Sequence, residues 1–175
     1  MIKFTPMRIA HGIRGFEMTA QKGDVFEAPV PQATTRSNHK HVAMHVEGET
    51  ELSIVRGNVI GFPQMPIRRK AGDSTLDHPW EATEGSVFRV EVMSDVYRYL
   101  CISRIDEAPM NAHTVRAAAG EQVTIEQGRQ IVVGYGKLDI EGTIYSAPAQ
   151  IVAESRTVTG TVIEDLFALN VETPT

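Results

Sequence analysis

The chain has 175 residues, with 17 Lys and Arg against 22 Asp and Glu, a net charge of −5, one cysteine and six histidines. A globule this long buries about 68–70% of its unfolded surface and needs neither disulfide nor metal to fold. The single cysteine, Cys101, excludes an internal disulfide framework and the Cys-rich zinc modules. The acidic balance, with no long basic stripe, argues against nucleic acid as a partner.

Residues 1–23 read as an N-terminal arm. Their opening, MIKFTPMRIAHGIRG, lacks the uninterrupted apolar stretch of a secretion signal. No later run approaches the roughly 18 apolar residues of a membrane span. A cytoplasmic or virion location is therefore expected, with no membrane partner.

From residue 24 onward, glycines cut the chain into strand-length pieces. Gly48, Gly57, Gly72 and Gly85 do so in residues 24–106, which read as a first β module. Gly120, Gly128, Gly136 and Gly142 do so in residues 113–175, which read as a second, with 107–112 as linker around Pro109. Between the glycines apolar residues alternate: Val42, Met44 and Val46 against His41, Ala43, His45 and Glu47; Phe88, Val90 and Val92 against Arg89 and Glu91; Tyr97, Tyr99 and Cys101 against Arg98, Leu100 and Ile102. Period 2 is the mark of a strand, whose successive side chains point to opposite faces. Thr161-Val-Ile-Glu164 fits a helical capping box, yet the same stretch alternates through Ile163, Phe167, Leu169 and Val171, so a strand is expected there too. Gly23-Asp24, Gly72-Asp73 and Gly120-Glu121 form a weak internal echo, each pair followed by an apolar stretch. The fold class expected is all-β: a jelly-roll barrel or sandwich, in two tandem modules.

Three histidines and a carboxylate, His39, His41, His45 and Glu47, form the one cluster with metal-ligand chemistry. On a single strand all four would share a face, either solvated behind a Val42, Met44, Val46 core face or lining a cavity. Neutral imidazole binds Zn, Fe, Cu or Ni, and His78 could add a ligand from another strand. Elsewhere the chemistry is thin. Cys101, within an alternating strand, reads as a buried thiol with no activating base. Gly134-Tyr-Gly136-Lys137 reads as a turn, Arg68-Arg-Lys70 as a solvated loop, and Trp80 as a core or ligand contact.

With His39-Lys-His41, His45-Val-Glu-Gly48, Ala71-Gly-Asp73 and His78-Pro79 in place, the sequence resembles the cupin superfamily of small jelly-roll barrels. The second half, from Gly120 through Gly136, resembles a further cupin-like module and also small cupin-like proteins of bacteriophages. Many cupins bind one divalent metal through an HxH pair, a glutamate and a later histidine. Here that motif does not fall in register. With Gly48 as its closing glycine, the glutamate position falls on His41 and the pair on Thr35 and Ser37. With His39 and His41 as the pair, the closing glycine falls on Leu52 or Ser53. The resemblance therefore implies the barrel, and a non-catalytic protein of binding or assembly, without cofactor. Its partners would be copies of itself, a larger assembly such as a phage virion, or a small polar ligand. The alternative is a metal-dependent isomerase or oxygenase whose divalent ion is held by His39, His41, His45, Glu47 and His78.

Overall fold

A computed structural model describes residues 1–7, 10–29, 33–35, 38–59, 66–77, 83 and 85–175. Its strands in chain order are β1 (Lys3–Met7), β2 (Ile13–Ala20), β3 (Val25–Pro29), β4 (Ala33–Thr35), β5 (Asn38–His39), β6 (His41–Glu47), β7 (Glu49–Arg56) and β8 (Ile67–Lys70). Then come β9 (Val87–Val92), β10 (Tyr97–Arg104), β11 (Met110–Ala117), β12 (Gln122–Ile125), β13 (Arg129–Ile140), β14 (Thr143–Ser146), β15 (Ala149–Val152) and β16 (Val158–Glu172). The described residues contain no helix, and none is long and apolar enough to cross a membrane. The all-β reading of the alternation holds.

The described residues form three antiparallel sheets. The first runs β1-β2-β10-β6, the second β14-β13-β16-β11-β5-β4 with β12 on β16 and β15 on β13, and the third β3-β9-β7-β8. The first sheet carries buried side chains on both faces. Its outer face gives Ile13, Val42, Met44, Val46, Leu100 and Ile102 to a core shared with Met110, Ala112, Val132, Phe167, Leu169 and Val171 of the second sheet. Its inner face gives Met18, Ala20 and Tyr97, which meet Val92 of the third sheet, with Phe16, Tyr99 and Phe26 beside them. A separate core of Val123, Ile125, Ile131, Val133, Leu138, Val162, Leu166 and Ala168 fills the second sheet's other side.

The sheets redraw several boundaries read from the sequence. Within residues 1–23, read as an N-terminal arm, β2 lies between β1 and β10 in the first sheet. The linker is shorter than 107–112, because β11 begins at Met110. β4 and β5 leave the first part of the chain for the second sheet, where His39 lies opposite Met110. Gly134 to Lys137 is not a turn but part of β13, a long strand whose ladder to β16 is bulged there. Arg68-Arg-Lys70 belongs to β8, with Arg69 buried. The capping-box stretch is strand throughout. Cys101 is buried, and burial pushes its thiol up to about 11, as an inert core cysteine requires.

The Gly-acid echo is a repeated piece of geometry. Gly23, Gly72 and Gly120 all have φ near +90°, a region glycine enters without steric cost. In each turn the acid accepts a hydrogen bond from the amide three residues back: Gln21 to Asp24, Lys70 to Asp73, and Ala118 to Glu121, at 2.9–3.0 Å. In each the glycine N–H donates to a strand carbonyl, of Val92, His45 and Val162 respectively. These bonds from the acid side chain back across the turn explain why a glycine followed by an acid recurs.

Candidate functional site: the inner face of the first sheet

Alternation along β6 and β10 turns one set of odd-numbered side chains inward. The register sets His45 opposite Tyr99, Ala43 opposite Cys101 and His41 opposite Ser103. β2 continues the same face, with Met18 opposite Tyr99 and Phe16 opposite Cys101, and β1 adds Phe4 opposite Met18. Rings therefore line up across four strands. Phe4 and Phe16 meet edge to face with centroids 5.8 Å apart, Phe16 and Tyr99 lie 6.1 Å apart, Tyr99 and His45 6.0 Å, and His45 and Tyr97 5.9 Å. Such separations fall in the favourable range for aromatic pairs.

Accessibility grades along this row. Phe4 is 64% exposed at the sheet edge, Phe16 and Tyr99 are partly exposed, and His45 and Tyr97 are buried. At the closed end, His45 Nδ1 lies 2.7 Å from the Tyr97 hydroxyl, and the two share a hydrogen bond. Burial disfavours the imidazolium and lowers the His45 pKa to about 4. Asp73 opposes that shift and Arg69 reinforces it. Burial likewise pushes the Tyr97 phenol well above its ordinary value. At neutral pH the His45–Tyr97 pair is thus polar and itself uncharged.

Of the residues proposed as metal ligands, the structure brings few together. His39 is buried in the second sheet, on β5 rather than β6. His41 and His45 share the inner face of β6, but four residues of strand separate them by about 13 Å, and His41 is exposed. Glu47 follows a bulge at Val46 that turns it to the outer face, where its carboxylate lies 3.8 Å from Arg98. His78 lies outside the described residues, as do Pro79 and Trp80. The single-face expectation therefore fails for two of the four, because the chain changes sheets at Lys40 and the ladder slips at Val46. Among the described residues no three His, Cys, Asp or Glu side chains come together as a metal site.

What the sequence reasoning missed was the aromatic half of the site. A signal was present: Tyr97 and Tyr99 have the same parity in β10 as His41 and His45 have in β6. Which strand lies beside which is a long-range fact, and His45 and Tyr97 are 52 residues apart.

No family model matches the sequence, and no curated protein does. Solved structures do match. The chain resembles a cupin 2 conserved barrel domain protein from Leptotrichia buccalis at 10% identity and a TM-score of 0.53, over 99% of this chain and 89% of that one. The fold is cupin-like. The bacterial pirin YhhW from Escherichia coli, solved in complex with nickel(II), matches at 11% identity and a TM-score of 0.53 over 99% of both chains. HutD from Pseudomonas fluorescens matches at 10% identity and a TM-score of 0.55, over 94% of this chain and 80% of that one. At such identities the likeness carries the cupin-like fold alone. Among the described residues His41, His45 and Glu47 do not converge on one point, since His41 and His45 stand two pleats apart and Glu47 faces the other way.

Proposed function

We propose that this protein is a non-catalytic, cupin-like binding protein whose first pair of sheets takes a small polar ligand with an apolar ring face, such as a sugar or a ring-bearing metabolite. The observation that carries this reading is the graded aromatic row, open at Phe4, Phe16 and Tyr99 and closed by the neutral His45–Tyr97 pair. Aromatic rings supply a stacking wall at low entropic cost, and a few convergent polar groups fix orientation in pockets otherwise apolar. A neutral imidazole and a phenol offer both a donor and an acceptor to a hydroxyl. Neither supplies a charge, so a neutral ligand suits them.

The test is thermal unfolding of chelator-treated protein with p-nitrophenyl glucoside, which joins a ring to a polyol. The expected result is a rise in Tm that grows with probe concentration and disappears in Tyr99→Ala. No shift with this probe, alongside about one tightly held divalent ion per chain in untreated protein, would instead favour the metal-dependent enzyme. In that event His45→Ala should remove the ion.

A further inference from the structure

The second sheet carries a cavity of its own, of about 210 Å³, lined by His113, Thr124, Glu126, Arg129 and Asn170. It sits where the second sheet's own core reaches the surface. His113 on β11 lies opposite Asn170 on β16, which in turn lies opposite Ile131 of that core. The cavity is smaller than the 300–1,000 Å³ typical of drug-sized ligands, so its occupant must be small.

Its charges are unusual. The Arg129 guanidinium is held by neutral oxygens only: Nε donates to Asn170 Oδ1 at 2.5 Å, Nη1 to Asn111 Oδ1 at 3.0 Å, and Nη2 to the Asn111 and Asn170 carbonyls at 3.3 Å each. Four of its five N–H groups are thereby fixed, leaving one on Nη1. The ion pairs of the described residues include neither Arg129 nor Glu126. One cavity thus holds a rigid cation and a carboxylate that neutralise neither each other nor any neighbour. The pKa of His113 is lowered, by desolvation first and by Arg129 second, with Glu126 opposing.

We propose that this cavity is a second ligand site, for a small zwitterion of the α-amino acid class, its carboxylate against Arg129 and His113 and its ammonium against Glu126. Charge-assisted hydrogen bonds to an ionised partner are about twice as strong as neutral ones. A zwitterion alone satisfies both walls without adding net charge. The site is independent of the aromatic row, so either can fail without the other.

The test is calorimetric titration of the full chain at pH 7 with L-alanine, N-acetyl-L-alanine and L-alaninamide, followed by a panel of larger neutral amino acids. The free amino acid is expected to bind at least about tenfold more tightly than the derivative lacking the ammonium or the one lacking the carboxylate. Glu126→Gln and His113→Ala should each weaken binding by a similar factor with Tm unchanged, since both side chains are exposed. Tyr99→Ala should leave it unaltered. Arg129→Lys removes bonds that tie β11 to β16 and so threatens folding, which makes Glu126→Gln the deciding variant. N-acetyl-L-alanine binding as tightly as alanine would overturn the zwitterion assignment in favour of a plain anion site. No binding by any amino acid would overturn the site altogether.

Discussion

The two interiors of this molecule are furnished differently. Between the first and third sheets, rings and hydroxyls line the face that carries His45, and exposure rises from His45 to Phe4. Inside the second sheet, Ile125, Ile131, Val133, Leu138 and Ala168 are wholly buried, and the aliphatic side chains fill the space. Its charges stay at the mouth, on Arg129 and Glu126, with His113 beside them. A filled interior contributes stability. On the reading proposed above, the second interior gives support and the first receives the ligand, and that division can be broken by experiment.

The largest expected effect is on the filled side. Leu138 is fully buried opposite Val162, and Leu138→Ala should cost about 2–5 kcal/mol by urea unfolding, because lost transfer energy adds to the cavity left behind. If the interiors have separate duties, affinity for p-nitrophenyl glucoside stays unchanged at temperatures where the variant is folded. A parallel loss of affinity would mean that the two regions act as one.

Next is acid. The folded pKa of His45, about 4, lies below its ordinary 6.5, so above pH 6.5 both folded and unfolded chains hold it neutral and nothing is lost. Between pH 6.5 and 4 the unfolded chain takes up a proton that the folded chain refuses, and stability falls as pH falls. Below 4 both forms are protonated and the loss is complete, at about 3 kcal/mol. Urea midpoints at pH 7, 5.5 and 4 should show a shallower decline in His45→Gln than in the parent. Carboxylates titrating in the same range contribute equally to both proteins, and identical declines would show that the imidazole is not sealed in.

Tyr97→Phe is expected to cost about 1–3 kcal/mol, since it strips the hydroxyl from His45 Nδ1 and leaves a buried polar atom without its partner. Replacing both partners, as in the Tyr97→Phe/His45→Leu pair, should recover part of that loss. A double variant no better than the sum of the singles would place the two groups outside each other's reach.

The strand grammar of this fold was legible because alternation is local, and the three Gly-acid turns were legible because each is a four-residue device. The site was legible only by half. Reading β6 as one apolar face and one polar face was right. The inference that the apolar face marks the core and the polar face meets water or a pocket assumed a single core. Here Val42, Met44 and Val46 face a second sheet while His45 faces a first interior of its own. A strand between two cores carries no sign of that arrangement in its own residues. The bulge that turns Glu47 away is equally silent, because it is a slip in the pairing with a strand distant in sequence.

The smallest expected change in stability is also the sharpest test of reception. Phe4 is 64% exposed on an edge strand, and its ring touches Phe16 at 5.8 Å without being enclosed. Exposed substitutions usually stay within about 0.5 kcal/mol, so Phe4→Ala should unfold at almost the parent's urea midpoint. If the ring is the entrance of a stacking wall, the same variant loses affinity for p-nitrophenyl glucoside by about fivefold, the value of one exposed aromatic contact of roughly 1 kcal/mol. An exposed ring that matters to neither folding nor binding would confine the receptive surface to Phe16 and Tyr99. A ring that matters to binding and not to folding is retained at that edge for the ligand.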